Sequence, residues 1–184
     1  TGIAWSLLGV ERLAEIVAKP TISQEDLVRY EALLIAEANQ QQALLEAAYL
    51  ARRDFDVFRD LSFLYFASVS FEEIRQRLFD DQTGQAAWRA FLGATDFEWQ
   101  TCVKAARGVV ATAVADGSGG GRRRFHQWVM DAISERNLIG LGRSPTHMYD
   151  VNLDFLVDSS GLLGLTPAEL EQLLPRLRGG RSCA

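Results

Sequence analysis

The sequence predicts an all-α fold, a bundle of about seven to nine helices. Apolar residues recur at helical spacing along most of the chain, and strand patterns bounded by turn residues are scarce. A third observation is the helix-capping box, a Ser or Thr followed three residues later by an acid. The pattern occurs at Ser23 with Asp26, Ser70 with Glu73, Thr95 with Glu98, and Thr166 with Glu169.

The N-terminal third predicts three helices. Residues 3–18 form an amphipathic pattern that Pro20 ends, and a long helix is expected from Leu27 to Arg52. The polar patch at 39–42 leaves open whether that helix is broken. Residues 61–69 are apolar on nearly every side but too few to span a bilayer, so we expect a buried helix.

A glycine-rich segment divides the rest of the sequence into two parts. Residues 116–121 read DGSGGG and predict a flexible loop. Before it, Val109–Val114 is rich in β-branched residues but keeps the helical phase of Trp99 and Val103, so we predict helix there. We expect residues 1–69 to pack on a bundle formed by residues 70–178, with a disordered tail at 179–184.

Composition narrows the classes of function. The chain has 184 residues, 48% hydrophobic, with a net charge of −5 and a pI near 5.1. This acidity argues against nucleic acid as a partner, because binding phosphate needs a clustered basic face. No apolar run is long enough for a transmembrane helix. Cys102 and Cys183 form neither a disulfide framework nor a metal motif, so a cytoplasmic protein without a cofactor is expected.

The stretch GSGGGRRR invites comparison with a phosphate-binding loop. The comparison fails because no Lys-Ser or Lys-Thr pair follows the glycines and no strand precedes them. Arg122, Arg123 and Arg124 are therefore read either as a solvated turn or as a contact with an acidic partner.

A metal or acid–base site has one weak candidate in the sequence. His147, Asp150 and Asp154 are spaced so that one helix face would carry all three. Surface helices commonly carry such residues for solubility, so we do not predict a bound metal. The aromatic residues Trp88, Phe91, Phe97 and Trp99 are expected to lie in the core.

Three short segments, residues 70–74 (SFEEI), 84–92 and 98–102 (EWQTC), have the pattern of a known family. The first two resemble the opening helices of the regulator of G-protein signalling (RGS) family, and the third resembles a later segment of it. Residues 151–154 (VNLD) and, more faintly, 52–58 are similar to two further family segments. The last match precedes the opening motif, so the resemblance implies an RGS-like bundle with an altered helix order.

The resemblance implies a Gα subunit as the partner. Asn152 matches a family residue that contacts the Gα switch regions, and Asp54 lies beside Arg53, which stands where the family has a Gα-binding Asp. The family's Glu-Asn pair has no counterpart between Leu92 and Trp99. The resemblance therefore implies a related scaffold more than a competent GTPase activator.

Three functions remain open from the sequence. The first is a helical protein-interaction module that uses the 92–99 loop, including Thr95 and Asp96, and the 140–154 connection with Asn152. The second is a structural or oligomerising domain that packs the helix from Leu27 to Arg52 against a partner or a second copy. The third, and the least favoured, is a metal-dependent or small-molecule enzyme.

Overall fold

The structure is a computed structural model that describes residues 2–79, 88, 90–143 and 153–178. The described residues form an all-α bundle and contain no strand, as predicted. The helices are α1 (Gly2–Val17), α2 (Gln24–Ala51), α3 (Phe55–Phe79), α4 (Phe97–Asp116), α5 (Gly119–Ile133), α6 (Leu153–Asp158) and α7 (Pro167–Arg178). Short 3₁₀ turns occupy Phe91–Gly93 and Ser160–Leu163.

Two of the four predicted capping boxes start helices. Ser23 caps α2, and its hydroxyl accepts from the Asp26 amide at 3.1 Å. Thr166 exchanges hydrogen bonds with Glu169 at the start of α7. The Thr95 prediction is wrong by one residue, because Asp96 is the cap that accepts from the Trp99 amide at 2.9 Å.

The prediction that a helix starts at Ser70 is wrong, since α3 runs through this position. The Ser70 hydroxyl instead donates to the Phe66 carbonyl within the helix at 2.7 Å. α3 therefore also crosses the domain boundary that we placed between residues 69 and 70. Likewise, α2 passes through the polar patch at 39–42 without a break.

The glycine-rich segment 116–121, predicted as a loop, is mostly helix. α4 ends at Asp116, Ser118 caps α5, and the three glycines 119–121 form the first turn of α5. The Ser118 hydroxyl accepts from the Gly121 amide at 3.0 Å. A Cβ atom at Gly121 would lie 2.5 Å from Oδ2 of Asp116, so a side chain there would displace the Asp116 carboxylate.

The main core lies between α2, α3, α4 and α5. Its members include Leu44, Leu61, Leu64, Trp99, Val103, Val110, Phe125, Val129 and Ile133. The predicted buried helix at 61–69 lies within α3, where Leu61, Leu64, Ala67 and Ser68 are buried and the other residues are half-buried. A second cluster, built around Phe71, Leu78, Leu138, Leu156 and Leu170, holds α6 and α7 against the C-terminal half of α3.

α1 packs against α2 at the edge of the bundle. The helix-forming stretch 109–114 lies in α4, as expected. Each helix within the described ranges is either too short or too polar to cross a bilayer.

Candidate interaction surfaces

The predicted site residues fall into separate parts of the bundle. Thr95 and Asp96 lie together at the corner that leads into α4, while Asp54 precedes α3. Asp154 is exposed on α6. The predictions for Asn152, His147, Asp150 and the tail at 179–184 lie outside the described residues. Within the described ranges, no three His, Cys, Asp or Glu side chains converge to hold a metal ion.

Two of the three predicted arginines pair with acids of the chain itself. Nε of Arg122 lies 2.8 Å from Oδ2 of Asp54, which links α5 to the start of α3. This hydrogen bond from Arg122 holds the pKa of Asp54 below its usual value. Arg124 reaches Asp116 at 2.5 Å, while Arg123 is exposed. Arg122 therefore links α5 to the start of α3 and Arg124 pairs across the α4–α5 corner, while the side chains of Arg123 and Arg124 are both largely exposed.

The corner at residues 88–99, here called the α4 corner, borders an open cleft of about 460 Å³. The cleft contains charges of both signs, and the exposed ring of Phe97 stands at its edge. Phe97 was predicted to be in the core but is 79% exposed, whereas Phe91 and Trp99 are buried as expected and Trp88 is half-buried. The lining residues are Glu72, Arg75, Trp88, Ala90, Gly93, Thr95, Asp96, Phe97, Glu98 and Arg136.

Arg136 organises the floor of this cleft. Arg136 is 8% exposed, and its guanidinium binds Glu72 at 3.2 Å and also pairs with Asp96. The same group lies over two aromatic rings, 5.1 Å from the centroid of Phe71 and 4.9 Å from that of Trp99. A planar guanidinium suits both contacts, because it stacks on rings while its edge binds carboxylates.

Gly93 sits in the middle of this polar cluster. A Cβ atom there would lie 2.9 Å from Cδ1 of Trp99 and 3.1 Å from Nη1 of Arg136, and the φ angle of 65° also favours glycine. Beside it, Oγ of Ser68 and Nε1 of Trp99 are buried without a hydrogen-bond partner among the described residues. The cleft floor is thus a tightly fitted polar cluster.

A second cavity, of about 160 Å³, opens between α2 and α3. Its walls are almost entirely apolar, and Leu92 of the α4 corner is among the lining residues. Burial raises the pKa of the Tyr65 hydroxyl on its wall. The lining residues are Gln41, Leu44, Leu45, Ala48, Phe58, Leu61, Ser62, Tyr65 and Leu92.

The thiol of Cys102 does not carry the signature of a nucleophile. Cys102 is half-buried on α4, and burial raises the pKa of its thiol. A reactive cysteine needs a lowered pKa and an accessible, electropositive setting. Cys102 is better described as a small packing residue.

The outer face of α1 is apolar and exposed. The face turned to α2 carries Trp5, Leu8, Gly9, Arg12 and Ile16. The opposite face, here called the α1 stripe, consists of Ile3, Leu7, Val10, Ala14 and Val17. Its four large residues are 80%, 64%, 65% and 63% exposed, in that order.

The exposed apolar residues of α2 do not form a comparable surface. Val28 and Ile35 are exposed at helical spacing, but the polar residues Asn39 and Gln42 continue the same line. From the sequence, the apolar residues of this long helix were expected to pack against a partner. In the structure, α2 packs against α1, α3 and α4, and its exposed residues Leu45 and Tyr49 lie beyond the polar interruption, whereas the exposed apolar residues of α1 are not interrupted.

No protein-family model, curated protein or solved structure matches this chain.

Proposed function

We propose that the chain is a helical protein-interaction module that pairs through the α1 stripe with the same helix of a second copy. The observation that supports this is the pair of apolar faces on α1. A helix at the edge of a bundle needs one apolar face for its own core. α1 has a second such face, which is open over its whole length.

The spacing of the α1 stripe is that of a two-helix seam. Its members stand at residues 3, 7, 10, 14 and 17, so the steps alternate between four and three residues. This is the heptad spacing that packs one helix into another. The stripe contains no charged residue, and a two-fold axis would therefore bring no like charges together within the seam.

A membrane surface is a poorer fit for the same stripe. Helices that lie on anionic membranes usually carry several Lys or Arg residues on their polar face. Within α1 the one basic residue is Arg12, which is 4% exposed and faces α2. The side of α1 opposite the stripe is thus committed to packing on the bundle.

The apolar area favours a reversible association. Burying each large stripe residue contributes about 1–2 kcal/mol, and two helices bring eight of them. Association itself costs about 4–15 kcal/mol. The balance predicts a dimer that dissociates on dilution.

Sedimentation velocity over about a hundredfold range of concentration tests the proposal. The average molecular mass of the wild-type protein is expected to increase with concentration. The Val10→Glu variant is expected to stay monomeric, because it places a charge in the seam. Ile35→Glu is the matched control, since Ile35 is 55% exposed on α2 outside the stripe. A wild-type chain that stays monomeric throughout, or that binds anionic vesicles instead, contradicts self-pairing.

A second proposal concerns the Gα partner implied by the RGS resemblance. What favours it is that Thr95 and Asp96 line an open cleft rather than the core. The test is retention of the chain on immobilised Gα loaded with GDP, with a GTP analogue or with the transition-state mimic. Lack of retention in every nucleotide state removes this proposal and leaves self-pairing unaffected.

A further inference from the structure

One buried carboxylate connects α1 with the α4 corner. Glu37 of α2 is fully buried, and its Oε2 accepts from Nε1 of Trp5 and Nη1 of Arg12, both at 2.9 Å. Its Oε1 lies 2.9 Å from Nη2 of Arg12 and accepts from the Phe91 amide at 2.6 Å. Two side chains of α1 and one backbone amide of the α4 corner therefore donate hydrogen bonds to the same carboxylate.

The backbone held by Glu37 is in an unfavourable conformation. Leu92, next to Phe91, has φ 58° and ψ 25°, and among the described residues it is the one non-glycine with positive φ. Its side chain is 1% exposed, and its carbonyl accepts from Nε2 of Gln40 at 3.4 Å. Such strain persists only where the surroundings hold it, and here α2 supplies the groups that do so.

A second contact ties the corner to α1. Nε1 of Trp88, at the entry to the corner, donates to Oε2 of Glu15 at 2.6 Å. The Trp88 ring also meets Tyr30 edge-on at 6.0 Å, and the Tyr30 hydroxyl donates to the Gly9 carbonyl at 3.1 Å. Trp88 lines the cleft, so the position of α1 bears directly on one cleft wall.

From these contacts we propose that α1 controls the order of the α4 corner. When α1 is packed on α2, it keeps the cleft in the form described here. When α1 is displaced from α2, residues 90–94 lose the contacts that order them. Without Arg12 the Glu37 carboxylate would lose its buried ion-pair partner and would have to draw in water. Hydration of the carboxylate weakens its bond to the Phe91 amide, which helps to hold the strained turn.

The regulatory consequence rests on the proposed function. Pairing through the α1 stripe stabilises the packing of α1 on α2. Association of two copies is therefore linked to the order of the α4 corner. Linkage is reciprocal, and a ligand that requires the ordered cleft would in turn favour the pair. The two surfaces are thus joined by a chain of hydrogen bonds through Glu37.

Hydrogen exchange of the full chain tests the coupling. Arg12→Met removes the ion-pair partner of Glu37, and Val129→Ala is the control because Val129 is buried in α5, outside α1. Arg12→Met is expected to raise exchange of the amides at 91–94 at least about tenfold over that in Val129→Ala. Equal rates at 91–94 in the two variants overturn the proposal.

A milder variant covers the case in which Arg12→Met does not fold. Glu15→Ala removes the acceptor of Trp88 at an exposed position and is expected to raise exchange near residues 88–92 about threefold. Unchanged exchange there argues against the coupling. These comparisons are made at a concentration where the chain is monomeric, so they decide the coupling even if self-pairing fails.

For the wild-type chain, dilution through the dimer range is a separate readout. Exchange at 91–94 is expected to rise as the pair dissociates, whereas exchange in the core of α5 stays constant. A chain that dimerises without any change at 91–94 contradicts the link between stripe and corner.

Discussion

The contact of α1 with α2 and the contact of α4 with α5 are built on different chemistry. Between α4 and α5 the buried residues are apolar, among them Val103, Val110 and Phe125. α1 buries Gly9, Arg12 and Ile16, and its best-defined contacts are hydrogen bonds to a buried carboxylate. Apolar burial supplies stability with little directional preference, whereas a buried ion pair specifies one geometry and fails abruptly when a partner is lost.

The largest expected effect tests the apolar side of this comparison. Phe125→Ala should lower the free energy of unfolding by about 3–5 kcal/mol, because Phe125 is 1% exposed at the centre of the core. Phe97→Ala, at the exposed edge of the cleft, should stay within about 0.5 kcal/mol. Urea denaturation measures both, and equal losses would mean that Phe97 is covered in solution.

The buried ion pair gives the next largest effect. Arg12→Met alone should cost about 3–5 kcal/mol, since it leaves Glu37 charged and unpaired. Adding Glu37→Met should recover part of this loss, because no charge then remains buried. Recovery should be incomplete, since the Trp5 indole and the Phe91 amide lose their acceptor at about 1–3 kcal/mol each.

A double-mutant cycle in urea measures these terms. If the double variant equals the wild type, the two donors have found other acceptors, and Glu37 then serves Arg12 alone. If the single change Arg12→Met costs nothing, α1 contributes little to the stability of the bundle.

Helix caps contribute less to stability than the buried ion pair. They also distinguish the capping boxes that start a helix from the one that lies inside a helix. Thr166→Ala should destabilise by about 1 kcal/mol, because it removes the hydroxyl that accepts from the Glu169 amide. Ser70→Ala should stay within about 0.5 kcal/mol, since this residue lies inside α3. Thermal or urea unfolding measures the stability of both variants. If Ser70→Ala destabilises the protein as much as Thr166→Ala does, a helix starts at Ser70 after all.

The smallest effect concerns pH. Asp54 has a lowered pKa, chiefly because Arg122 donates to it. A depressed folded-state pKa stabilises the fold above the unfolded value, and this stability is lost as pH falls through the folded value. Arg122→Gln should therefore lower stability slightly at neutral pH, with the difference from the wild type shrinking below about pH 4.

The neighbouring arginine is the control for the pH prediction. Arg123→Gln changes the net charge equally but removes no ion pair found in the structure. Its unfolding free energy should follow that of the wild type at every pH. A difference between Arg122→Gln and the wild type that persists unchanged into acid would show that the pair does not depend on ionised Asp54.

The sequence predicted the helices better than their ends. Apolar spacing identified the buried face of α3 and the helical phase of 109–114, since core packing and periodicity agree there. Ser70 was misread because a capping box is a local pattern, and continuous burial along α3 outweighs it. The glycines at 119–121 were misread because intrinsic propensity disfavours helix, whereas the Ser118 cap and the tight corner favour it.

Little of the candidate site was predictable. Thr95 and Asp96, which the sequence analysis singled out, line an open cleft, but the sequence analysis assigned no role to Arg136 or Glu37. A signal for Glu37 was present: it shares the buried face of α2 with Leu33 and Leu44, where a charge is out of place. Its partners could not be inferred, because they depend on how α1 and the α4 corner fold onto α2.

The hydrogen bonds around α1 also make tryptophan fluorescence sensitive to the position of this helix. The indoles of Trp5 and Trp88 are each bonded to a carboxylate that depends on the seating of α1, Glu37 and Glu15 respectively. Trp128 instead packs on the ring of Phe125. Intrinsic fluorescence should therefore register departure of α1 as a change in part of the tryptophan emission, without any label.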